Sequence, residues 1–172
     1  MDALSIESAV LWGHSDGAVI AALLGLDAPE RVRAVILEAF HYTTQKARSW
    51  GWMRSVLATP DSVGERSKAA LLRDHGEEWP KVVERNASAW LEIGRIGTPD
   101  LYSGKLAELS APALFIHGAN DRRAEPGDLD AVRRAFPTAA VRIIEAGHSP
   151  HSELASAEEC TRIASEFLEI YS

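Results

Sequence analysis

The feature that most constrains how this chain can fold is the apolar run Ala9-Val10-Leu11-Trp12, followed at once by Gly13-His14-Ser15-Asp16-Gly17 and then by the helix-forming stretch Ala18 to Leu26. A short apolar run, a glycine-flanked turn and an apolar helical stretch describe a strand that turns sharply into a helix. Such an elbow projects the serine hydroxyl where a base and a second molecule can both reach it, and the helix N-terminus directs amide N–H groups toward developing negative charge. Glycine at both ends lets the strained turn form and lets strand and helix approach closely. After the turn Asp27-Ala28-Pro29-Glu30-Arg31, the run Val32 to Leu37 is almost continuously apolar and rich in β-branched residues, the pattern of a strand buried on both faces. Strand, helix, short turn and strand imply a parallel pair joined by a right-handed crossover. The elbow therefore sits at the carboxyl end of a parallel sheet.

A chain of 172 residues, 46% hydrophobic and 25% charged, is sized and mixed for one water-soluble domain with a real core, and no Pro/Gly/Ser-rich linker divides it. The net charge of -7, with basic residues only in short pairs such as Arg122-Arg123 and Arg133-Arg134, argues against nucleic acid as a partner. A single cysteine, Cys160, cannot form an internal disulfide or a zinc ribbon, which points to a reducing compartment. The first residues carry no basic leader followed by an apolar stretch, and no later segment approaches a membrane span, so a cytoplasmic location is expected.

Residues 42–105 change character: strand-like runs stop, and apolar positions recur at helical spacing over 46–58, 66–74 and 80–93. Trp50, Trp52, Trp79 and Trp90 all lie here. This is the pattern of a helical cap inserted above the carboxyl end of a sheet, whose tryptophans either line an apolar pocket or anchor the cap. Past Ala111-Pro112 the alternation resumes, with strands predicted at 113–116 and 141–144 and helices at 129–136 and 157–171. The expected architecture is an α/β fold with a parallel sheet of about four strands flanked by helices, its core drawn from 1–41 and 106–172.

Each of the last two predicted strands runs into a loop carrying a candidate partner for Ser15: Asp121 in His117-Gly118-Ala119-Asn120-Asp121, and His148 in Gly147-His148-Ser149-Pro150-His151. In a parallel sheet both loops open on the edge that holds the elbow. His148 then serves as general base toward the Ser15 hydroxyl and as acid toward a leaving group, with Asp121 orienting the imidazole and stabilising its cation. Taken singly, Asp121 is also an ordinary turn former, and Glu38, at the end of the second strand, is a rival acid. The pair His148 and His151 has the spacing of two metal ligands, but no further ligand completes a set at plausible spacing, so no metal is expected.

Together these residues resemble the α/β-hydrolase superfamily, in its capped, serine-dependent, esterase-like branch. The resemblance is carried by Leu11 to Ala18, Pro29 to Ala39, Ile116 to Asp121 and Gly147 to Glu153. It implies Ser15 as nucleophile, Asp121 as acid, His148 as base, the backbone amide of Asp16 as an oxyanion donor, and no cofactor. Serine at the elbow centre argues against the branches that use aspartate there. Hydrolysis of an ester, a thioester or a C–C bond stays open, with a small or medium apolar carboxylic ester as the expected substrate.

The resemblance also implies an N-terminally truncated chain. In that superfamily the elbow follows the fifth of eight strands, so the first four strands and the loop that gives a second oxyanion amide are expected to be missing. Residues 9–12, normally a central strand, become an edge with no proline or charge to discourage pairing, so a homodimer or a partner chain along that strand is expected. The competing expectation is a truncated, non-catalytic remnant that acts, if at all, through association with another chain.

Overall fold

In the computed structural model, which describes residues 1–98, 100–125, 127–137 and 139–171, four strands form one parallel sheet in the order β1-β2-β3-β4. The ranges read from the sequence as core and cap also contain Pro99, Pro126, Thr138 and Ser172, which lie outside the described residues. Along the chain the elements are β1 (Ala9–His14), α1 (Asp16–Asp27), β2 (Val32–Glu38), α2 (Ala47–Ala58), α3 (Glu65–His75), α4 (Trp79–Ile96), β3 (Ala113–Gly118), α5 (Asp128–Ala135), β4 (Ala140–Ile144) and α6 (Ala157–Tyr171). This is the expected parallel α/β arrangement flanked by helices.

The chain divides into two compact units. The first, Met1–Thr43 with Asp100–Ser172, holds the sheet. Because side chains alternate across a strand, Val35, Leu37 and Phe115 join one apolar cluster with Ala18, Val19 and Ala22 of α1 and Val132 of α5. Ile36, Leu114 and Ile116 join the other, with Cys160, Ile163 and Ala164 of α6. Helices thus cover both faces, and this burial gives β2 and β3 their continuous apolar runs. Arg33 is the exception in β2, exposed near its start. Trp12, on the strand expected as an edge, is 44% exposed, and β1 is one of the two edge strands of the described sheet.

The second unit, Thr44–Pro99, is helical. α2 packs against α4, and Trp79, Val83, Ala87 and Trp90 are the buried residues of α4. Their spacing of three and four places them on one stripe of the helix. Pro80 falls in the first turn of α4, where its missing N–H would have had no partner. The Lys46 ammonium lies 5.5 Å from the centre of the Trp90 ring.

The strands extend past the ranges read from apolar runs alone. Gly13 and His14 belong to β1, and His117 and Gly118 belong to β3. The register sets His14 opposite Glu38, Glu38 opposite Ile116, and Gly118 opposite Ile144. The carboxyl ends therefore open along one edge, and the loops that follow them meet there.

Candidate active site

Ser15 adopts φ 55° and ψ -116°, one of four non-glycine residues with positive φ among those described. A side chain pays for that backbone with strain, which persists only where the surroundings fix it. Two constraints are visible. The Ser15 N–H donates to the Glu38 carbonyl at 2.9 Å, continuing the β1–β2 pairing into the turn. Gly13 leaves no room for a side chain, since a Cβ there would lie 2.0 Å from the Gly17 carbonyl oxygen. Gly17 itself has open space where its Cβ would project. The close approach of strand and helix thus requires glycine at Gly13 and not at Gly17.

Ser15, Asp121 and His148 meet. His148 Nε2 is 3.0 Å from Ser15 Oγ, and His148 Nδ1 is 2.9 Å from Asp121 Oδ2. Burial works to raise the Asp121 pKa, but the hydrogen bond and charge of His148, the Arg123 backbone N–H and the charge of His117 carry it down to about 2. An ionised carboxylate only accepts hydrogen bonds, so His148 Nδ1 carries the proton and a neutral ring leaves the Nε2 lone pair facing the hydroxyl. Asp16 is the first residue of α1, directly after the nucleophile.

The loops are clamped to hold this geometry. A Cβ at Gly118 would lie 1.9 Å from the Gly147 carbonyl oxygen, so the Asp121 and His148 loops cross at backbone distance. The Asn120 N–H donates to the Ala146 carbonyl at the same crossing. Glu153 accepts from the Gly147 N–H at 2.8 Å and from the Ser149 N–H at 3.1 Å, bracing the backbone on both sides of His148. His14 adds a third brace, its Nε2–H donating to the His148 carbonyl at 2.9 Å. Burial lowers the His14 pKa, which favours the neutral ring.

Glu38, the rival acid, makes different bonds. Its fully buried carboxylate accepts from the His151 N–H, from His151 Nδ1–H and from Trp12 Nε1–H, at 2.9, 2.9 and 3.2 Å. His151 is therefore a partner of Glu38, and His148 is engaged with Ser15 and Asp121 instead of pairing with His151. The described residues that bring potential metal-ligand atoms together are His14, Glu38 and His151, within 4.8 Å of one another. Cys160 is buried beneath the sheet, and its thiol pKa is pushed up by that burial to about 11.

Two further histidines stand at the site. His117 in β3 is buried with its Nε2 3.8 Å from Asp121 Oδ2, and burial lowers its pKa. His41, just past β2, brings Nε2 to 3.4 Å from Ser15 Oγ, with its ring 6.0 Å from that of His148 and tilted by only 17°. No motif in the sequence marks His41; its one signal is its place at the carboxyl end of β2, which it shares with Glu38.

A model of the alpha/beta hydrolase family matches residues 2–162, and the chain belongs to that family. Among solved structures it resembles a meta-cleavage product hydrolase from Pseudomonas fluorescens IP01 (TM-score 0.71, 20% identity, covering 100% of this chain and 68% of that one). It also resembles the enol-lactonase from Burkholderia xenovorans LB400 (TM-score 0.67, 22% identity, 98% and 68%). A third likeness is to a structure from a study of carboxylesterases of the thaumarchaeon Nitrososphaera gargenis (TM-score 0.73, 17% identity, 99% and 68%). At these identities the likeness concerns the fold. No curated protein sequence matches the chain. Among the described residues, no helix is long and apolar enough to cross a membrane.

Proposed function

We propose that this protein is a serine hydrolase acting on a small or medium apolar carboxylic ester through an acyl-enzyme. Ser15 attacks the carbonyl carbon while His148 Nε2 takes its proton. His148 then passes that proton to the departing alcohol, and Asp121 stabilises the imidazolium in between. The Asp16 amide is the oxyanion donor in this reading, and a donor of that kind is worth roughly a hundred- to a thousand-fold in turnover. In this reading the segment 42–105 is the cap insertion of the domain. The reading needs no metal or cofactor and places the protein in the cytoplasm.

The observation that carries it is the continuous path from Asp121 through His148 to a serine held at positive φ, with contacts of 2.9 and 3.0 Å. Hydrolysis of nitrophenyl acetate, butyrate and octanoate tests it. Turnover that disappears in Ser15→Ala supports the proposal, and equal rates in the two proteins would overturn it.

A second reading rests on the β1 edge, where Trp12 is exposed together with Ile20 and Leu24 of α1. Here the chain acts by association, as a homodimer or with a separate polypeptide along residues 9–12. Sedimentation at micromolar concentration, read alongside the ester assay, separates the two: a self-associating chain without turnover favours this one.

A further inference from the structure

Ser15 Oγ stands between two imidazoles, and each is backed by a buried aspartate. On one side is His148 with Asp121. On the other, His41 Nε2 lies 3.4 Å from Oγ and His41 Nδ1 lies 3.8 Å from Asp128 Oδ2. Asp128 is 2% exposed, and backbone donors fix its carboxylate: the Tyr42 and Thr43 N–H groups reach Oδ1 at 3.0 and 3.1 Å, and the Glu125 N–H reaches Oδ2 at 3.2 Å. The His41 backbone is held as well, since the buried Tyr102 hydroxyl donates to its carbonyl at 2.8 Å. The His41 backbone is thus fixed to the sheet, while its ring faces Asp128 at 3.8 Å, a looser mounting than the 2.9 Å hydrogen bond that holds His148.

Proton counting gives the two rings different roles. A hydroxyl has one proton to donate and lone pairs to accept. With His148 Nδ1–H committed to Asp121, the Ser15 proton goes to His148 Nε2. A second nitrogen on the same oxygen then fits only as a donor, which puts a proton on His41 Nε2; Asp128, 3.8 Å from Nδ1, is too distant to hold that proton on Nδ1 by a hydrogen bond. A donor aimed at Oγ does little for the serine as nucleophile, because it engages the electron pair that attacks. It helps Oγ when that atom must leave.

We propose that His41 is a second catalytic histidine whose Nε2–H stabilises Ser15 Oγ as the leaving atom in deacylation. The proposal rests on the acyl-enzyme reading above. In that step water attacks the acyl carbon as His148 Nε2 takes a water proton. The C–Oγ bond then breaks with its electron pair going to Oγ, and His148 returns the proton there, releasing the acid. The His41 proton stays on Nε2 throughout, and its hydrogen bond strengthens as charge gathers on Oγ. A contact of 3.4 Å in the resting site can tighten in this way, since such bonds are often long before the substrate is bound.

The test is rapid-mixing hydrolysis of nitrophenyl butyrate by the full chain, where the burst reports acylation and the steady state reports deacylation. In His41→Asn the amide nitrogen takes the place of Nδ1 and nothing reaches Oγ, whereas in His41→Gln an amide N–H takes the place of Nε2. H41N is expected to keep its burst rate within about threefold while its steady-state rate falls about ten- to a hundred-fold, below the full value of an ideal oxyanion donor because the contact is long. H41Q is expected to recover the steady state to within about threefold of wild type. An unchanged steady state in H41N, a burst and steady state slowed alike, or an H41Q as slow as H41N would overturn the proposal. If H41N does not unfold cooperatively, H41Q decides: burst and turnover near wild type support it, and loss of steady-state turnover overturns it. A wild-type protein with no ester turnover would instead remove the acyl-enzyme reading itself.

Discussion

Gly118 and Gly147 come so close that a side chain on the first would overlap the carbonyl of the second, a Cβ standing 1.9 Å from its oxygen. The contact is between backbones, so no rotamer change relieves it. It ties the loop of Asp121 to the loop of His148 and explains the glycine at 118, whereas a Cβ at Gly147 would meet the Glu153 carboxylate at 2.9 Å. Gly118→Ala is expected to cost about 3 kcal/mol or more, beyond an ordinary overpacked core, and to lose the His148–Asp121 contact. Urea unfolding and nitrophenyl ester turnover of the variant check this; stability and rate near wild type would contradict it.

The two glycines of the elbow are not equivalent. Gly13→Ala drives a Cβ into the Gly17 carbonyl and is expected to unfold the elbow or prevent expression of folded protein. Gly17→Ala meets open space within a helix, where alanine is favoured over glycine by roughly 0.5–1 kcal/mol. The thermal midpoint of the Gly17 variant is thus expected at or above wild type. A drop as deep as that of the Gly13 variant would show that the motif's second glycine is structural after all.

Glu153 holds two backbone amides beside His148, and removing its carboxylate leaves both without that acceptor. Glu153→Ala is expected to lose about 1–3 kcal/mol of stability and to loosen the loop locally. Hydrogen exchange at Gly147 and Ser149 is the direct measurement. Protection unchanged at both amides would mean that the loop is held without Glu153.

Acid sensitivity follows from Asp121. Its folded pKa, about 2, lies below the ordinary carboxylate value, so the ionised group stabilises the fold above that ordinary value. The contribution declines as pH falls from about 4 through about 2. Across that window wild type is expected to lose more stability than Asp121→Asn, measured by urea midpoints at each pH. Parallel curves would contradict the assignment. The same variant is expected to lose turnover by roughly a thousand- to ten-thousand-fold, because the His148 tautomer is no longer enforced.

The strand positions and the candidates Ser15, Asp121 and His148 could be read from sequence because each signal is local: an apolar run, a turn, and a polar residue at a strand end. What could not be read depends on distances across the sheet. His41 and Asp128 are 87 positions apart and share no motif, so only the folded chain sets one behind the other. Glu38 and His151 likewise became partners through the register, which leaves Glu38 bonded to the loop beyond His148 and not to His148 itself. The strands ran longer than their apolar runs because His14, His117 and Gly118 pair through backbone groups that ignore side-chain polarity.

The most direct measurement is covalent labelling with a fluorophosphonate, followed by intact-mass analysis and peptide mapping. A single adduct on Ser15 in the folded wild-type chain, abolished in Ser15→Ala and strongly slowed in His148→Ala, is the predicted result. Folded protein that takes up no label, or takes it up equally in all three proteins, would contradict an activated serine at this elbow.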